Sequence, residues 1–434
     1  MRAAFPTAVA LAVLGLFARG AAGCAADDDD ANAVGDDGGA GSSFDGATAI
    51  DGTASGDANA DADAGVDAAL PCSPDGWCHT TFPSADIADA AQVDPAFVPI
   101  DLHDVWVMPD HDAWAVAEQG YVLHWTKNAW SMVFAANVPL RTVWAASASD
   151  VWIAGTGGVV FHGTPKAGQL GFDKVDLGTT DDVLRVRGKS ATDVLAITAN
   201  GIFHSAGVSF EAVPFPNGIP HDATQTLGDM WIRGGELWIG AHEFSTCDQF
   251  DDACGFQDHT LLLRWKGMIA ASDGGPSASF DRAPLEMVCD RATCVVVSGT
   301  LAPDGSHLLI VKRQFQLPRG KPAQVAHVAA ADAGLLDASA AQGDGGYVWT
   351  MDDPGTAGAG PTGVWAATGS RAWLVASPGV VRQWDGQAWT IARVAVGAPV
   401  TKDLRAIEGV VGPDGKSDVW IVGDNIALHR SESP

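Results

Sequence analysis

Positive charge is scarce in this chain: Lys and Arg number 25 against 53 Asp and Glu, leaving a formal charge of −28 at pH 7. Nothing offsets phosphate repulsion, so nucleic acid is excluded as a partner, and acidity of this kind mostly serves solubility. Tyr is nearly absent at 2 residues while Trp reaches 16, so the aromatic content is not generic. The 7 Cys never form two C-x₂₋₄-C pairs with His support, which removes a structural zinc site. No metal and no cofactor are expected. Nor is any segment apolar over a length that crosses a bilayer.

What is present begins with an export signal. Met1-Arg2 is a minimal positive region, and Ala3 to Ala18 is apolar but short. Ala21-Ala22-Gly23-Cys24 then resembles a bacterial lipobox, in which the Cys is lipidated after cleavage before it; Ala21 stands where Leu is usual. The competing reading is an ordinary signal-peptidase cut nearby that leaves Cys24 a plain thiol. An odd Cys count bears on the choice, because setting Cys24 aside leaves three close pairs, Cys72/Cys78, Cys247/Cys254 and Cys289/Cys294, each a candidate disulfide. The expectation is a signal peptide over 1–23 and lipid on Cys24. Ala25 and Ala26 supply no inner-membrane retention acid, which points to the outer membrane of a Gram-negative envelope, held by lipid alone. Residues 24–71 then form an acidic tether dominated by Ala, Gly and Asp, without Lys or Arg. Such a segment buries too little apolar surface to repay ordering, and as a flexible coil it spans roughly 35–40 Å.

PCSPDGWC (Pro71 to Cys78) opens the folded region. Its Pro, Asp and Gly mark a tight turn, and the Cys spacing suits a local loop disulfide. Residues 72–95 read as a stapled lead-in to a repeat region over 96–434. There a cassette recurs: LHDVW from Leu102, LRTVW from Leu140, VLRVR from Val183, LGDMW from Leu227, LEMVC from Leu285, PTGVW from Pro361 and LRAIE from Leu404. The period is roughly forty residues. Each unit decomposes into four short strands, with Gly120, Gly158, Gly201, Gly379 or Asn425 turning the second into the third. An aromatic residue opens the fourth: Trp130, Phe172, Phe210, Trp389.

Four-stranded antiparallel units repeated in this way make an all-β fold, a β-propeller. Seven blades are expected, with six or eight possible, because YVWTM (Tyr347 to Met351) inside the Ala/Gly/Asp-rich 323–363 stretch could mark a degenerate eighth. The last repeat ends after its third strand, IALHR, and a spare strand lies at AFVPI (Ala96 to Ile100). An N-terminal strand is therefore expected to complete the last blade and close the ring, removing an aggregation-prone edge.

Chemistry-bearing residues also recur with the blades. His124, His162, His204 and His429 sit near the end of strand three, and Asp112, Asp150, Asp193 and Asp418 open strand two. Equivalent positions in successive blades are rotated about the axis, so the His residues read as hydrogen-bonding partners rather than a metal site. The Asp residues read as turn caps rather than catalytic carboxylates. Arg141, Arg185, Arg187, Arg233 and Arg405 lie in or beside innermost strands; Arg141, Arg187 and Arg405 are the candidate ligand-facing residues. A sialidase-type arginine cluster lacks its companions, since there is no S/T-x-D-x-G-x-x-W/F box and no acid/base pair, and neither Tyr121 nor Tyr347 suits a nucleophile. The adjacent Cys-Cys pair of quinone-dependent propellers is also missing, and no catalytic residue is assigned. Cys289 and Cys294 are expected to staple the first hairpin of blade five, and Cys247 and Cys254 to pin a long loop of blade four.

Taken together, CSPDGWC, the VW…DVW cassette and the endings at His124-Trp125 and Gln383 to Trp389 resemble predicted lipoproteins of myxobacteria. Those chains join a lipobox and an acidic tether to tandem D-V-W-A-V-G…H-W-D-G-x-x-W propeller repeats. The resemblance spans nearly the whole chain and implies architecture but no reaction. It fails at blades three and five, where Arg187 and Cys289 replace the first Trp. The reading of the whole chain is an envelope-anchored, monomeric lipoprotein whose propeller is a binding or assembly module without catalysis. The partner expected is a protein or glycan of the cell envelope, met at the 241–259 and 323–363 loops. The alternative is a carbohydrate-active propeller enzyme.

Overall fold

The computed structural model describes residues 72–84, 87–88, 98–126, 128–215, 223–245, 257–270, 276–285, 294–313, 323–333, 342–344, 346–356, 359–395 and 397–432. The signal, Cys24, the tether, Cys247, Cys254 and Cys289 lie outside the described residues. Seven antiparallel sheets make a seven-bladed β-propeller. Blade one holds Leu102–Val107, Ala113–Ala117, Tyr121–Thr126 and Ala129–Ala135; blade two holds Leu140–Ser147, Asp150–Gly155, Val159–Lys166 and Gln169–Asp176. Blade three runs Val183–Ser190, Asp193–Thr198, Ile202–Ser205 and Phe210–Val213, and blade four Ala223–Arg233, Glu236–Ser245, Gln257–Ala270 and Pro276–Leu285. Blade five follows as Cys294–Leu301, His307–Arg313, Gln324–Ala330 and Tyr347–Asp352, edged by the short Gln342–Asp344. Blade six is Gly360–Thr368, Arg371–Ser377, Val380–Trp384 and Trp389–Ile391; blade seven is Leu404–Val411, Ser417–Gly423 and Ile426–Ser431.

Successive side chains on a strand point to opposite faces, and here both faces of each blade meet a neighbour. In Asp150–Gly155, Val151 and Ile153 pack toward blade one while Trp152 and Ala154 pack toward blade three. That is why the second strands read as continuous apolar runs rather than alternating ones. Seven apolar clusters result, one at each junction between neighbouring blades. The junction of blade seven with blade one is among them, with Trp420 set edge-on to Trp125 at 4.9 Å and to Trp130 at 5.0 Å.

Turn chemistry follows the sequence in most blades. Gly158 and Gly379 are left-handed, at φ 69° and 60°, and a Cβ on either would fall 1.9 Å from a carbonyl oxygen, of Thr179 or Val400. Gly201 has no such backbone. Between strands one and two, the amides are capped from within the turn: Ser147 accepts from Ser149 N–H, Ser190 from Thr192, Thr368 from Ser370 and Asp414 from Lys416. The Asp residues that open strand two serve elsewhere, as described below.

Three sequence expectations shift in detail. The strand beside Ile426–Ser431 is Cys78–His79, with Cys78 opposite His429, in the place expected of Ala96–Ile100; Ala96 and Phe97 lie outside the described residues. Val98–Ile100 leads into blade one, and Ile100 C=O accepts from Asn425 N–H, in the turn between the second and third strands of blade seven, at 2.8 Å. Tyr347–Asp352 is the fourth strand of blade five, not part of an eighth blade. The fifth cassette is out of register: Leu285 ends blade four, and blade five begins at Cys294, so its first hairpin lies at residues 302–306 and a Cys289–Cys294 staple would not cross it. The lead-in carries the expected Cys72–Cys78 disulfide. It seats fully buried Trp77 edge-on against Trp373 of blade six at 6.4 Å.

Candidate functional site

Every innermost strand carries one β-bulge at the same place, between Leu102 and Asp104, Leu140 and Thr142, Val183 and Arg185, Leu227 and Asp229, Val296 and Ser298, Pro361 and Gly363, and Leu404 and Ala406. A bulge re-aims the residues that follow it. The first of these stitches blades together where its side chain can accept. Asp104 takes Val143 N–H at 3.1 Å, Thr142 takes Val186 at 3.2 Å, Asp229 takes Gly299 at 3.0 Å and Ser298 takes Val364 at 3.3 Å. In blade three the position is Arg185, a donor only, and it forms an ion pair with Asp229 at 2.7 Å instead.

Two residues further along the inner strand, the cassette Trp position faces the axis. It reads Trp106, Trp144, Arg187, Trp231, Thr300, Trp365 and Glu408 around the ring. Six of these residues, all but Trp144, line a cavity of about 580 Å³ together with Asp104, Arg185, Asp229 and Arg233. Charge enters the channel at two of the three places where the repeat loses its Trp, Arg187 and Glu408, and also beside intact Trp positions, through Asp104, Asp229 and Arg233.

Arg187 lies over Trp106, 5.2 Å from the ring centroid, and donates to Asp104 at 3.3 Å and to the Val143 and Val186 carbonyls at 3.0 and 2.9 Å. Its side chain and that of Asp104 are only 5% and 3% exposed. Arg233 reaches across to the Leu301 carbonyl at 3.1 Å and to that of Ala366, and lies over Trp365. Burial depresses its pKa against the pull of Glu408 and Asp304. Glu408 accepts Gly409 N–H at 3.1 Å. Enclosure in the channel pushes its carboxyl up to about 7, against the pull of Arg187.

Of the three arginines singled out by sequence, only Arg187 lines this cavity. Arg141 and Arg405 are the bulged residues of blades two and seven, on either side of blade one, and pair with Asp182 at 3.5 Å and Asp424 at 2.6 Å. Both lie close enough to His103 that, with burial first, their charge lowers its pKa. Asp104, Asp229 and Glu408 were missed. For Glu408 the signal was present, since LRAIE sets Glu where LRTVW and LHDVW set Trp.

The recurring His and Asp residues meet one another away from the axis. His162 lies opposite Trp152 on the neighbouring strand, stacks on it at 3.8 Å and bonds Asp150 at 3.0 Å. His429, Trp420 and Asp418 repeat the arrangement at 4.3 and 2.5 Å. In blade three, where Leu195 replaces the Trp, Trp265 of blade four donates to Asp193 at 2.9 Å. Although burial opposes it, that bond and the one from His204 hold the Asp193 carboxyl below its usual range. The His residues are hydrogen-bonding partners within each blade, as expected. The Asp residues are their acceptors rather than turn caps. Among the described residues no group of His, Cys, Asp and Glu is placed to hold a metal, and no helix is long and apolar enough to cross a membrane.

A ring of seven four-stranded blades around an axial cavity defines the class, a seven-bladed β-propeller. No known protein-family description matches the chain, and no curated protein does. Solved structures with the same fold include YCF48 bound to a D1 peptide, at 14% identity over 84% of this chain and 100% of that one, with a TM-score of 0.51. YCF48 from Cyanidioschyzon merolae matches at 13% identity, 82% and 98% coverage, and TM-score 0.51. A catalytically inactive virginiamycin B lyase from Staphylococcus aureus with quinupristin matches at 11% identity, 77% and 96% coverage, and TM-score 0.51. Identities this low bear on the fold alone.

Proposed function

We propose that this chain is an envelope-anchored lipoprotein, resembling the predicted myxobacterial lipoproteins. In this reading lipid on Cys24 and the acidic tether present the propeller as a binding and assembly module at the outer membrane. The observation that carries the module reading is the axial cavity of about 580 Å³, a size suited to ligand recognition. Its wall sets the three positions where the cassette loses its Trp, Arg187, Thr300 and Glu408, among three where it is kept, Trp106, Trp231 and Trp365. Propellers place such features on a rigid scaffold, where binding residues keep their geometry. YCF48, solved with a D1 peptide, is a propeller occupied by a peptide. Crosslinking the intact protein in its own envelope, followed by mass spectrometry, tests the role: reproducible capture of one protein or glycan supports it, and no capture sinks it. Cys24→Ser tests the anchor separately, which fails if membrane association is unchanged.

One observation favours the enzyme alternative. Glu408, with a carboxyl pushed up to about 7, is poised for proton transfer near neutral pH. Turnover of an envelope glycan that Glu408→Gln abolishes would make this a carbohydrate-active enzyme. Turnover that survives the substitution, or none at all, refutes that version.

A further inference from the structure

Two charged groups on the cavity wall form no ion pair. Asp104 is engaged by Arg187 and Asp229 by Arg185. Arg233, in contrast, bonds only to backbone carbonyls, and Glu408 only to a backbone N–H. They feel each other's charge yet do not touch, and both line the same space. The chain carries a net charge of −28, but this cavity gathers three arginines against two aspartates and Glu408. Of these arginines only Arg233 has no carboxylate of its own, so the ligand that fits beside it is an anion.

We propose that the channel binds a small organic carboxylate borne on a ring, its oxygens held by the Arg233 guanidinium beside the Glu408 side chain. The ring lies against Trp106, Trp231 and Trp365. This rests on the reading of the propeller as a binding module. Arg233 is fixed for the task by the Leu301 and Ala366 carbonyls and by Trp365 beneath it, so little side-chain entropy remains to be lost on binding. A guanidinium matches a carboxylate in geometry as well as charge. The carboxylic acid of Glu408 donates the complementary bond, and Thr300 adds a hydroxyl to the wall.

The pH dependence has a definite sign. The charged groups lining the cavity with Glu408 are Asp104 from blade one, Arg185 and Arg187 from blade three, and Asp229 and Arg233 from blade four, while Asp304 of the blade-five hairpin acts on Arg233. Blades five and six otherwise offer the uncharged hydroxyls of Ser298, Thr300 and Thr362, and blade two lines no part of the cavity. The arginines stay charged throughout, while Glu408 changes charge near pH 7. Its protonated fraction falls about tenfold between pH 6 and pH 8, and the apparent affinity falls with it.

The test is isothermal titration of the intact protein with glucuronate, benzoate and acetate, against glucose and benzamide as neutral counterparts. Saturable binding of glucuronate or benzoate at one site is expected, with weaker acetate, silent neutral compounds and about a tenfold loss of affinity from pH 6 to pH 8. Glucuronate alone binding identifies a sugar acid; benzoate alone identifies an aromatic acid. Arg233→Met should weaken binding about tenfold or more. Glu408→Gln should flatten the pH profile of binding, a readout that stands even if Arg233→Met does not fold. Silence from all three carboxylates, equal binding of the neutral compounds, or an unaltered profile in Glu408→Gln overturns the proposal. If crosslinking captures a partner while no carboxylate binds, the module reading survives and this site does not.

Discussion

The Asp104–Arg187 pair can be taken apart one residue at a time. Asp104 is the acceptor for Arg187 at 3.3 and 3.4 Å and for Val143 N–H at 3.1 Å, and both side chains are almost wholly buried. Asp104→Ala strips the carboxylate from a guanidinium that cannot lose its charge and orphans a backbone N–H joining blades one and two. Breaking a buried pair from one side costs about 3–5 kcal/mol, most of it the penalty of the abandoned ion. Arg187→Met is milder, about 1–3 kcal/mol, because Asp104 keeps Val143 N–H. The double variant removes both charges, so it should be more stable than the sum of the single losses by about 2 kcal/mol. Urea unfolding followed by Trp fluorescence with linear extrapolation measures all four corners of the cycle. Strict additivity, or an Asp104→Ala cost under about 1 kcal/mol, would refute the claim that this pair is a buried, mutually dependent unit.

Other outcomes follow from the same structure. Trp420→Ala, which opens the junction of blades seven and one where Trp125, Trp130 and His429 converge, should cost about 3–5 kcal/mol in a urea titration. Gly157→Ala and Gly158→Ala share a left-handed backbone at φ 66° and 69°, but only at Gly158 would the new Cβ meet an oxygen, at 1.9 Å. The Gly158 variant should therefore lose about 1–3 kcal/mol and the Gly157 variant about 1, and equal melting temperatures would contradict the steric argument. Glu408 is an acid whose folded pKa, about 7, lies above its ordinary value of 4.5. The folded state thus binds more protons between those values, and its contribution declines as pH rises through the window. Against Glu408→Gln, the wild type should lose roughly 2–3 kcal/mol of relative stability from pH 4.5 to pH 8; a flat difference would show that the carboxyl titrates normally.

Legibility varied with how local the cause was. The Trp152–His162 stack and the hairpin at Gly158 follow from residues close in sequence, and the pattern of LRTVW…DVW showed them. Blade five lies away from its expected place because its inner strand, CVVVSGTL, has Thr300 where the cassette has Trp, while LEMVC upstream mimics the cassette. The Asp residues of strand two were assigned to the wrong bond. A carboxylate beside a turn can cap it or reach a neighbouring strand, and only the register decides. Glu408 carried a readable signal in its departure from the cassette, whereas Asp104 and Asp229 became site residues only through a bulge that no composition marks.

By itself, the sequence determined that the chain repeats, that each unit is four strands, and that such units build an all-β ring, with six to eight blades left open. Those properties depend on side-chain alternation and turn chemistry within about forty residues. Tertiary structure alone decided which strand edges blade seven, how Arg187 meets Asp104 across 83 positions, and that Arg233 and Glu408 face one cavity from different blades. Such encounters depend on the curvature of the whole ring, which brings far-separated residues to a common axis.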